Sequence, residues 1–334
     1  MGVNLGELLP SKSVELEHLT GRSIAVDAYN TLYQFLSIIR QPDGTPLMNS
    51  RGEITSHLAG LLYRTSNLVA LGIHPSFVFD GVPPEKKSET IAARIEVRRK
   101  AKEKWDEALE RGAMEEARTY AQQATRLTKD MVEQSKELLA ALGIPSVQAP
   151  QEGEAQAAFM CAQGDAWAAG SQDFDALLFG SPRLLRNMTV TGRRKLPKKN
   201  VYIMVKPEII EASECELTRD QLIEVALMIG TDFNEGVKGI GPKKALAAIK
   251  KGKTADEVHH DAGIDTDLTP ARDIFLHPET TKDYKLAWQE PDEEKTLKLL
   301  VDKHEFSVER VKSSIAKMRE AASTKGTQSR LDVW

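Results

Sequence analysis

Two cysteines in 334 residues, Cys161 and Cys215, exclude a disulfide-built scaffold, and neither sits in a Cys-x-x-Cys pair of the kind that holds zinc. A reducing compartment suits such a chain. Long apolar runs are also missing: no segment approaches the roughly 18 residues that a membrane span needs. The opening Met1-Gly2-Val3-Asn4-Leu5-Gly6 lacks a basic region followed by an apolar stretch, so no secretory signal is read there. Gly6 stands where a myristoylation signal needs Ser or Thr. A net basic charge is absent too; the formal balance is -4 at pH 7, which by itself argues against a nucleic-acid partner. No internal repeat is apparent.

What is present fits a soluble globular chain of one large or two intimate domains, with 41% hydrophobic and 28% charged residues. Charge distribution corrects the impression left by the total. Six lysines and no acid lie between Gly236 and Lys253, and Arg193, Arg194, Lys195, Lys198 and Lys199 form a second basic cluster. Such patches bind phosphate backbones whatever the net charge, although many charge runs are only solvated surface.

Short apolar runs end in acids. Ser23–Val26 is followed by Asp27, Ser76–Phe79 by Asp80, and Trp167–Ser171 by Asp173 and Asp175. Runs of this length between helical stretches predict a mostly parallel sheet flanked by helices, an α/β fold. Ligands in such sheets gather beyond the carboxyl ends of the strands. If the third strand continues, alternation points Asp173 and Asp175 the same way. Glu152 and Glu154 open a helix; acids in a first turn are favoured by the helix dipole alone, and the two converge only if one lies at the cap. Leu222–Ile229 predicts an apolar helix ended by Gly230-Thr231-Asp232.

The seven acids Asp27, Asp80, Glu152, Glu154, Asp173, Asp175 and Asp232 are the candidate metal ligands. Crowded carboxylates repel and hold protons, and cations relieve that cost. Oxygen-only ligands suit Mg2+, with Mn2+ able to substitute. Two such ions about 4 Å apart activate water and stabilise the leaving oxygen of a phosphodiester. A single Asp at a strand end is more simply a cap or turn residue; seven in this order point to a shared site.

Residues about 83–142 are rich in Ala, Glu, Gln, Lys and Arg, have no proline after Pro84 until Pro145, and predict a projecting helical arch with a break near Gly112. Gly239-Ile240-Gly241-Pro242-Lys243-Lys244 predicts a tight turn into a helix whose free N–H groups face a DNA phosphate, within a helix-turn-helix-like motif of about 218–255. Beyond 320 a flexible tail (321–334) is expected, carrying Gln328, Leu331 and Trp334.

Taken together, Val26-Asp27-Ala28, Phe77-Val78-Phe79-Asp80-Gly81, Glu152-Gly153-Glu154-Ala155, Gln172-Asp173-Phe174-Asp175, Gly230-Thr231-Asp232 and Gly239-Ile240-Gly241-Pro242-Lys243 resemble the flap endonucleases of the structure-specific 5′-nuclease superfamily, in their archaeal form. The resemblance runs over essentially the whole chain. It implies a PIN-like 5′-nuclease fold in a nuclease domain of residues 1–320. It implies two-metal cleavage of 5′ flaps at single-strand/double-strand DNA junctions, with 5′-3′ exonuclease activity, in Okazaki-fragment maturation and base excision repair. Lys87 and Arg94 match arch residues that contact the scissile phosphate, and their spacing of seven places both on one helix face. Tyr33 matches an aromatic that stacks on a base, although Leu32, Phe35 and Leu36 around it would equally suit a core position. Arg40, Arg98, Gly239, Gly241, Lys243 and Lys244 are the further DNA-binding positions. Carbonyls of Gly236, Val237 and Ile240 match a potassium site, and about Gly44 to Leu61 resembles the region that holds a one-nucleotide 3′ flap.

Gln328, Leu331 and Trp334 resemble a motif that docks on the sliding clamp. The usual second aromatic is absent after Trp334, which implies a weaker clamp contact or a shortened chain. A monomeric, cytoplasmic protein is expected. Three rivals remain open: a sister nuclease of the superfamily acting on bubbles or four-way junctions, a phosphatase using Asp173 as nucleophile, and a non-catalytic DNA- or clamp-binding scaffold.

Overall fold

The computed structural model describes residues 3–41, 43–84, 87–189, 192–195 and 202–328. The core is a seven-stranded sheet in the order β1-β9-β6-β5-β2-β3-β4. In chain order, β1 is Lys12–Ser13, β2 Ser23–Asp27, β3 His74–Phe79, β4 Ser146–Gln148, β5 Ala168–Gly170 and β6 Arg183–Arg186; β7 (Gly192–Lys195) and β8 (Tyr202–Val205) form a separate ribbon, and β9 is Glu208–Glu211. Strands β6-β5-β2-β3-β4 run parallel, and β9 and β1 close one edge antiparallel.

The helices explain this arrangement. β2 leads into α1 (Ala28–Ile38) and α2 (Ser56–Ala70); β3 leads into α3 (Ser88–Glu110), α4 (Met114–Gln123) and α5 (Lys129–Ala141); β4 leads into α6 (Gly153–Ala162), and β5 into the single turn α7 (Asp175–Leu178). After β9 come α8 (Arg219–Ile229), α9 (Pro242–Lys250), α10 (Ala255–Asp261), α11 (Thr269–Leu276), α12 (Glu293–Leu297), a π-helical turn at Lys298–Lys303, and α13 (Val308–Gln328). The chain builds outward from β2 to β4, then returns to place β5 on the other side of β2. The strand order therefore reverses at the β5/β2 junction, where open α/β sheets leave a crevice beyond their carboxyl ends.

Both sheet faces are covered. Leu58, Leu61 and Leu62 of α2, with Leu138 and Leu139 of α5, pack with Ile24, Phe77 and Phe79 on one side; Ala158 and Met160 of α6 and Val225 and Leu227 of α8 pack with Ala25, Val78 and Ala169 on the other.

Three expectations are corrected. The projecting arch ends near Gln123 and does not extend to 142: Met131, Val132, Leu138 and Leu139 of α5 are buried, because they recur on one face of that helix and belong to the core. Gly112 does lie between α3 and α4, at φ +68, a left-handed turn that glycine adopts without strain. The third strand stops at Gly170, so strand alternation does not orient Asp173 and Asp175; a turn carries Asp173, and Asp175 is the first residue of α7. Finally, the backbone of α13 stays helical through Gln328, where an irregular tail was expected from 321. Leu331 and Trp334 lie outside the described residues, as do Lys198 and Lys199 of the second basic cluster.

Candidate active site

Five segments deliver acids to the crevice, and the local sequence places each of them. Asp27 ends β2 and caps α1, its Oδ1 accepting from the Asn30 amide at 2.9 Å. Asp80 follows β3, and its Oδ1 accepts from the Gly153 amide at 2.8 Å. That approach needs glycine, since a Cβ at 153 would stand 2.6 Å from the same oxygen. Glu152 is the extended N-cap of α6 and Glu154 lies in its first turn, so the irregular cap residue lets two near neighbours face one site. After β5, Ser171 Oγ lies 2.7 Å from Glu154 Oε1 and 3.3 Å from Asp27 Oδ2. Asp173 Oδ2 accepts from Asn30 Nδ2 at 3.0 Å, and Asp175 Oδ1 from the Val3 amide at 3.1 Å. Asp232 follows α8 in the loop after Gly230.

The burial of these carboxylates is costly. Burial first, and then the charge of Asp80, pushes Asp27 well above the ordinary carboxylate range. Asp80 is pushed up to about 6 by burial and by Glu152. Glu154 is raised by burial and by the charges of Asp175, Asp27 and Asp173. Asp175 is pushed up to about 7 by burial and by Asp173 and Asp232. Every one of the seven acids appears in this chain of mutual repulsion, so the fold brings together all that the sequence singled out.

Cations answer part of that charge. Lys87, just before α3, lies 2.5 Å from Glu152 Oε2 and 3.8 Å from Asp232 Oδ2. Burial works against the Lys87 charge, but Glu152, Asp80 and Asp232 outweigh it and hold its pKa above the usual lysine value. Arg94, two turns along α3, meets Asp232 Oδ1 at 2.5 Å, and Thr90 Oγ1 donates to the Asp232 carbonyl at 2.9 Å. The base of the arch is thus fastened over the acids. Among the described residues, no three acidic, histidine or cysteine side chains are drawn tightly enough together to cage an ion as they stand. Their oxygens are turned instead to Lys87, Arg94, Ser171, Asn30 and backbone amides.

The remaining sequence candidates surround this centre. Tyr33 is half-buried on α1, unlike its fully packed neighbours Leu32, Phe35 and Leu36, and the Arg98 guanidinium lies 5.2 Å from its ring centre. Arg40 is committed elsewhere: its nitrogens donate at 2.7 Å each to the Leu36 and Gly44 carbonyls and to Thr125 Oγ1. This arginine ties α1, the following loop and the end of the arch together, which leaves two of its five N–H groups for another partner.

Gly241 caps α9 and Pro242 begins it. Lys243 is largely exposed, 3.4 Å from Glu7, and Lys244 Nζ donates to the Gly239 carbonyl at 2.9 Å. Gly236 is forced: a Cβ there would lie 1.9 Å from the Ile229 carbonyl oxygen. The Val237 carbonyl accepts from the Ile240 amide at 3.0 Å.

The profile of the XPG N-terminal domain matches residues 3–101, and that of the XPG I-region residues 143–232. Those spans hold all seven acids and leave most of the arch between them. Flap endonuclease 1 of Pyrococcus furiosus is 53% identical over all of this chain and 99% of its own length. The chain belongs to the flap endonuclease 1 family. It is accordingly a nuclease, a hydrolase acting on DNA, and replication and repair are the roles typical of that family. Among solved structures, the flap endonuclease-1 of Methanococcus jannaschii is 41% identical, with a TM-score of 0.77 over 97% of this chain and 100% of that one. The catalytic core of Rad2 in complex with DNA substrate is 26% identical, with a TM-score of 0.67 over 92% of this chain and 96% of that one.

Asn30, Ser171 and the Val3 amide were not picked out from sequence. Asn30 at the third position of a helix capped by Asp27 had a visible signal; Val3, distant from every motif, had none.

Proposed function

We propose that the enzyme cleaves 5′ flaps at the junction of single- and double-stranded DNA, using divalent cations held by Asp27, Asp80, Glu152, Glu154, Asp173, Asp175 and Asp232. The observation that supports this most is the burial of mutually repelling carboxylates at the strand-order reversal, beneath a cationic arch. The donor set fits hard ions: it is all oxygen, in charge excess, and without cysteine or histidine, which favours Mg2+ or Mn2+ over zinc. A pair of such ions supplies Lewis acidity to the attacking water and to the leaving oxygen.

The chain's own groups do the rest. Lys87 and Arg94 exchange their carboxylate partners for the scissile phosphate and stabilise the charge that builds there. Tyr33 stacks on the base beside the cut, worth about 1–3 kcal/mol. The Lys243 amide at the start of α9, with the Lys243 and Lys244 side chains, grips a phosphate of the duplex. Carbonyls of Gly236, Val237 and Ile240 would hold a potassium ion, whose charge would favour a nearby DNA phosphate. The segment ending in Gln328, Leu331 and Trp334 docks a monomeric enzyme on the sliding clamp.

Cleavage of 5′-labelled double-flap, bubble and four-way-junction substrates of matched sequence tests the substrate assignment. A single cut at the flap base, at least tenfold faster than on the other two, is expected; equal or faster cutting of the junction would contradict it.

A further inference from the structure

Asp173 is reached by a chain of side chains with one direction. A carboxylate only accepts, so Asn30 must present Nδ2 to Asp173 Oδ2, at 3.0 Å. Asn30 Oδ1 then faces Gln34, which must present Nε2, at 2.7 Å. Gln34 Oε1 is left for the Thr189 hydroxyl, which donates at 3.2 Å. The charge at one end thus dictates the orientation of two amides that could each be turned over.

The chain crosses between elements. Asn30 and Gln34 stand four apart on α1, one above the other on a single face. Thr189 follows β6, beyond Arg186, whose Nε donates to the Gln172 carbonyl at 3.0 Å and whose guanidinium lies 4.3 Å from the Phe174 ring centre. These three groups line a tight pocket with Val26, Gly170 and Ser171, leaving the amides little freedom to turn. Asp173 sits in a turn, outside regular strand or helix, and needs such support.

We propose that Gln34 is a positioning residue for cleavage: through Asn30 it restricts the orientations open to the Asp173 carboxylate beside the other acids, with Thr189 anchoring the far end. The proposal rests on Asp173 serving the metal site. Removing Gln34 leaves Asn30 free to rotate and Asp173 to swing, so the entropic cost of ordering the site moves into the binding of the ion. DNA affinity, carried by the arch and α9, is untouched.

The test uses the full chain and four variants: Gln34→Ala, Gln34→Glu, Gln34→Met and Asp173→Asn. Mn2+ binding is read by the electron paramagnetic resonance of the free ion, flap affinity by fluorescence anisotropy in Ca2+, single-turnover cleavage against Mg2+ concentration, and folding by thermal melting. Gln34→Ala and Gln34→Met should weaken Mn2+ binding about 5- to 20-fold and raise the half-saturating Mg2+ concentration to match, with flap affinity within twofold. Gln34→Glu should be worse than either. It can only accept, so it turns Asn30 over and sets Oδ1 against Asp173. Asp173→Asn should weaken Mn2+ binding more than any Gln34 change.

Wild-type Mn2+ binding in the Gln34 variants, with loss in Asp173→Asn, would overturn the relay and leave the metal site standing. Wild-type binding in Asp173→Asn would overturn both. Equal losses of flap affinity and melting temperature across the Gln34 series, with Gln34→Glu no worse than Gln34→Met, would make the residue merely structural and overturn the proposal.

Discussion

Lys87, after β3, and Glu152, after the neighbouring β4, lie 65 residues apart in the chain and meet at 2.5 Å. This ion pair joins the base of the arch to the cap of α6. It pairs a group proposed to hold metal with a group proposed to hold phosphate. Arg94 and Asp232 repeat the arrangement. Engagement of the substrate and ions must therefore separate these pairs, and removal of either partner has two consequences.

Arg94→Ala and Lys87→Ala are expected to slow single-turnover cleavage by about 10²–10³, as loss of a charge-stabilising donor does, while flap affinity changes by less than about fivefold. Rapid-quench kinetics at saturating enzyme separate the two quantities. A pure loss of affinity with wild-type chemistry would contradict the assigned role.

The pH dependence of stability follows from the raised carboxyls. In the unfolded chain Asp80 and Asp175 release protons near the ordinary value of 3.8; in the folded chain they do so at about 6 and about 7. The folded state binds more protons between those values, so the stability these groups confer is full below about pH 4 and is lost as pH rises through 6 to 7. With chelator present, the melting temperature should be higher at pH 5.5 than at pH 8, and Mg2+ should narrow the gap. Asp175→Asn should flatten the slope and stabilise the chelated protein at pH 8 by on the order of 2 kcal/mol, about 3 °C. A rise in stability from pH 5.5 to 8, unchanged by the variant, would contradict this.

Two glycines in the loop before α9 should behave oppositely. Gly236→Ala drives a Cβ into the Ile229 carbonyl at 1.9 Å and is expected to cost at least about 2–3 kcal/mol, with loss of duplex binding. Gly241→Ala meets nothing within 4 Å at an extended φ of -113 and should cost less than about 1 kcal/mol. Thermal melting of both variants decides it. Equal tolerance would mean that the loop is not held as described.

Arg40→Ala should act on stability. Three hydrogen bonds linking α1, the 41–46 loop and Thr125 disappear, and a loss of about 2–3 kcal/mol is expected with flap affinity within threefold of wild type. Unchanged melting with weakened DNA binding would contradict this and make DNA contact the residue's main role.

Much of this architecture was readable from periodicity, because a strand buried on both faces must be a short apolar run and its acid must then lie at the sheet edge. Asp27 and Asp80 were legible on that ground alone. Asp173 and Asp175 were placed correctly at the edge for the wrong reason: alternation failed when β5 stopped at Gly170, and a turn with one helical turn did the same work. The arch was overextended because α5 is polar in composition, whereas its few apolar residues fall on one face and suffice to bury it. Arg40 shows a limit of residue type: its three hydrogen bonds across α1, the 41–46 loop and Thr125 give it a structural role that no local pattern announces, beside the DNA contact expected of it. The Gln34 chain depends on Thr189, 155 residues away, and no local pattern announces such a pair.

The buried carboxylates are proposed to act by holding divalent cations against a flap junction. The most direct test of this role is single-turnover cleavage of a 5′-labelled double-flap substrate by Asp175→Ala in Mg2+, with anisotropy of the same complex recorded in parallel. A fall in cleavage of at least about 10³ is expected, with flap affinity retained. Cleavage at the wild-type rate, or cleavage by the unaltered enzyme in excess chelator, would contradict it.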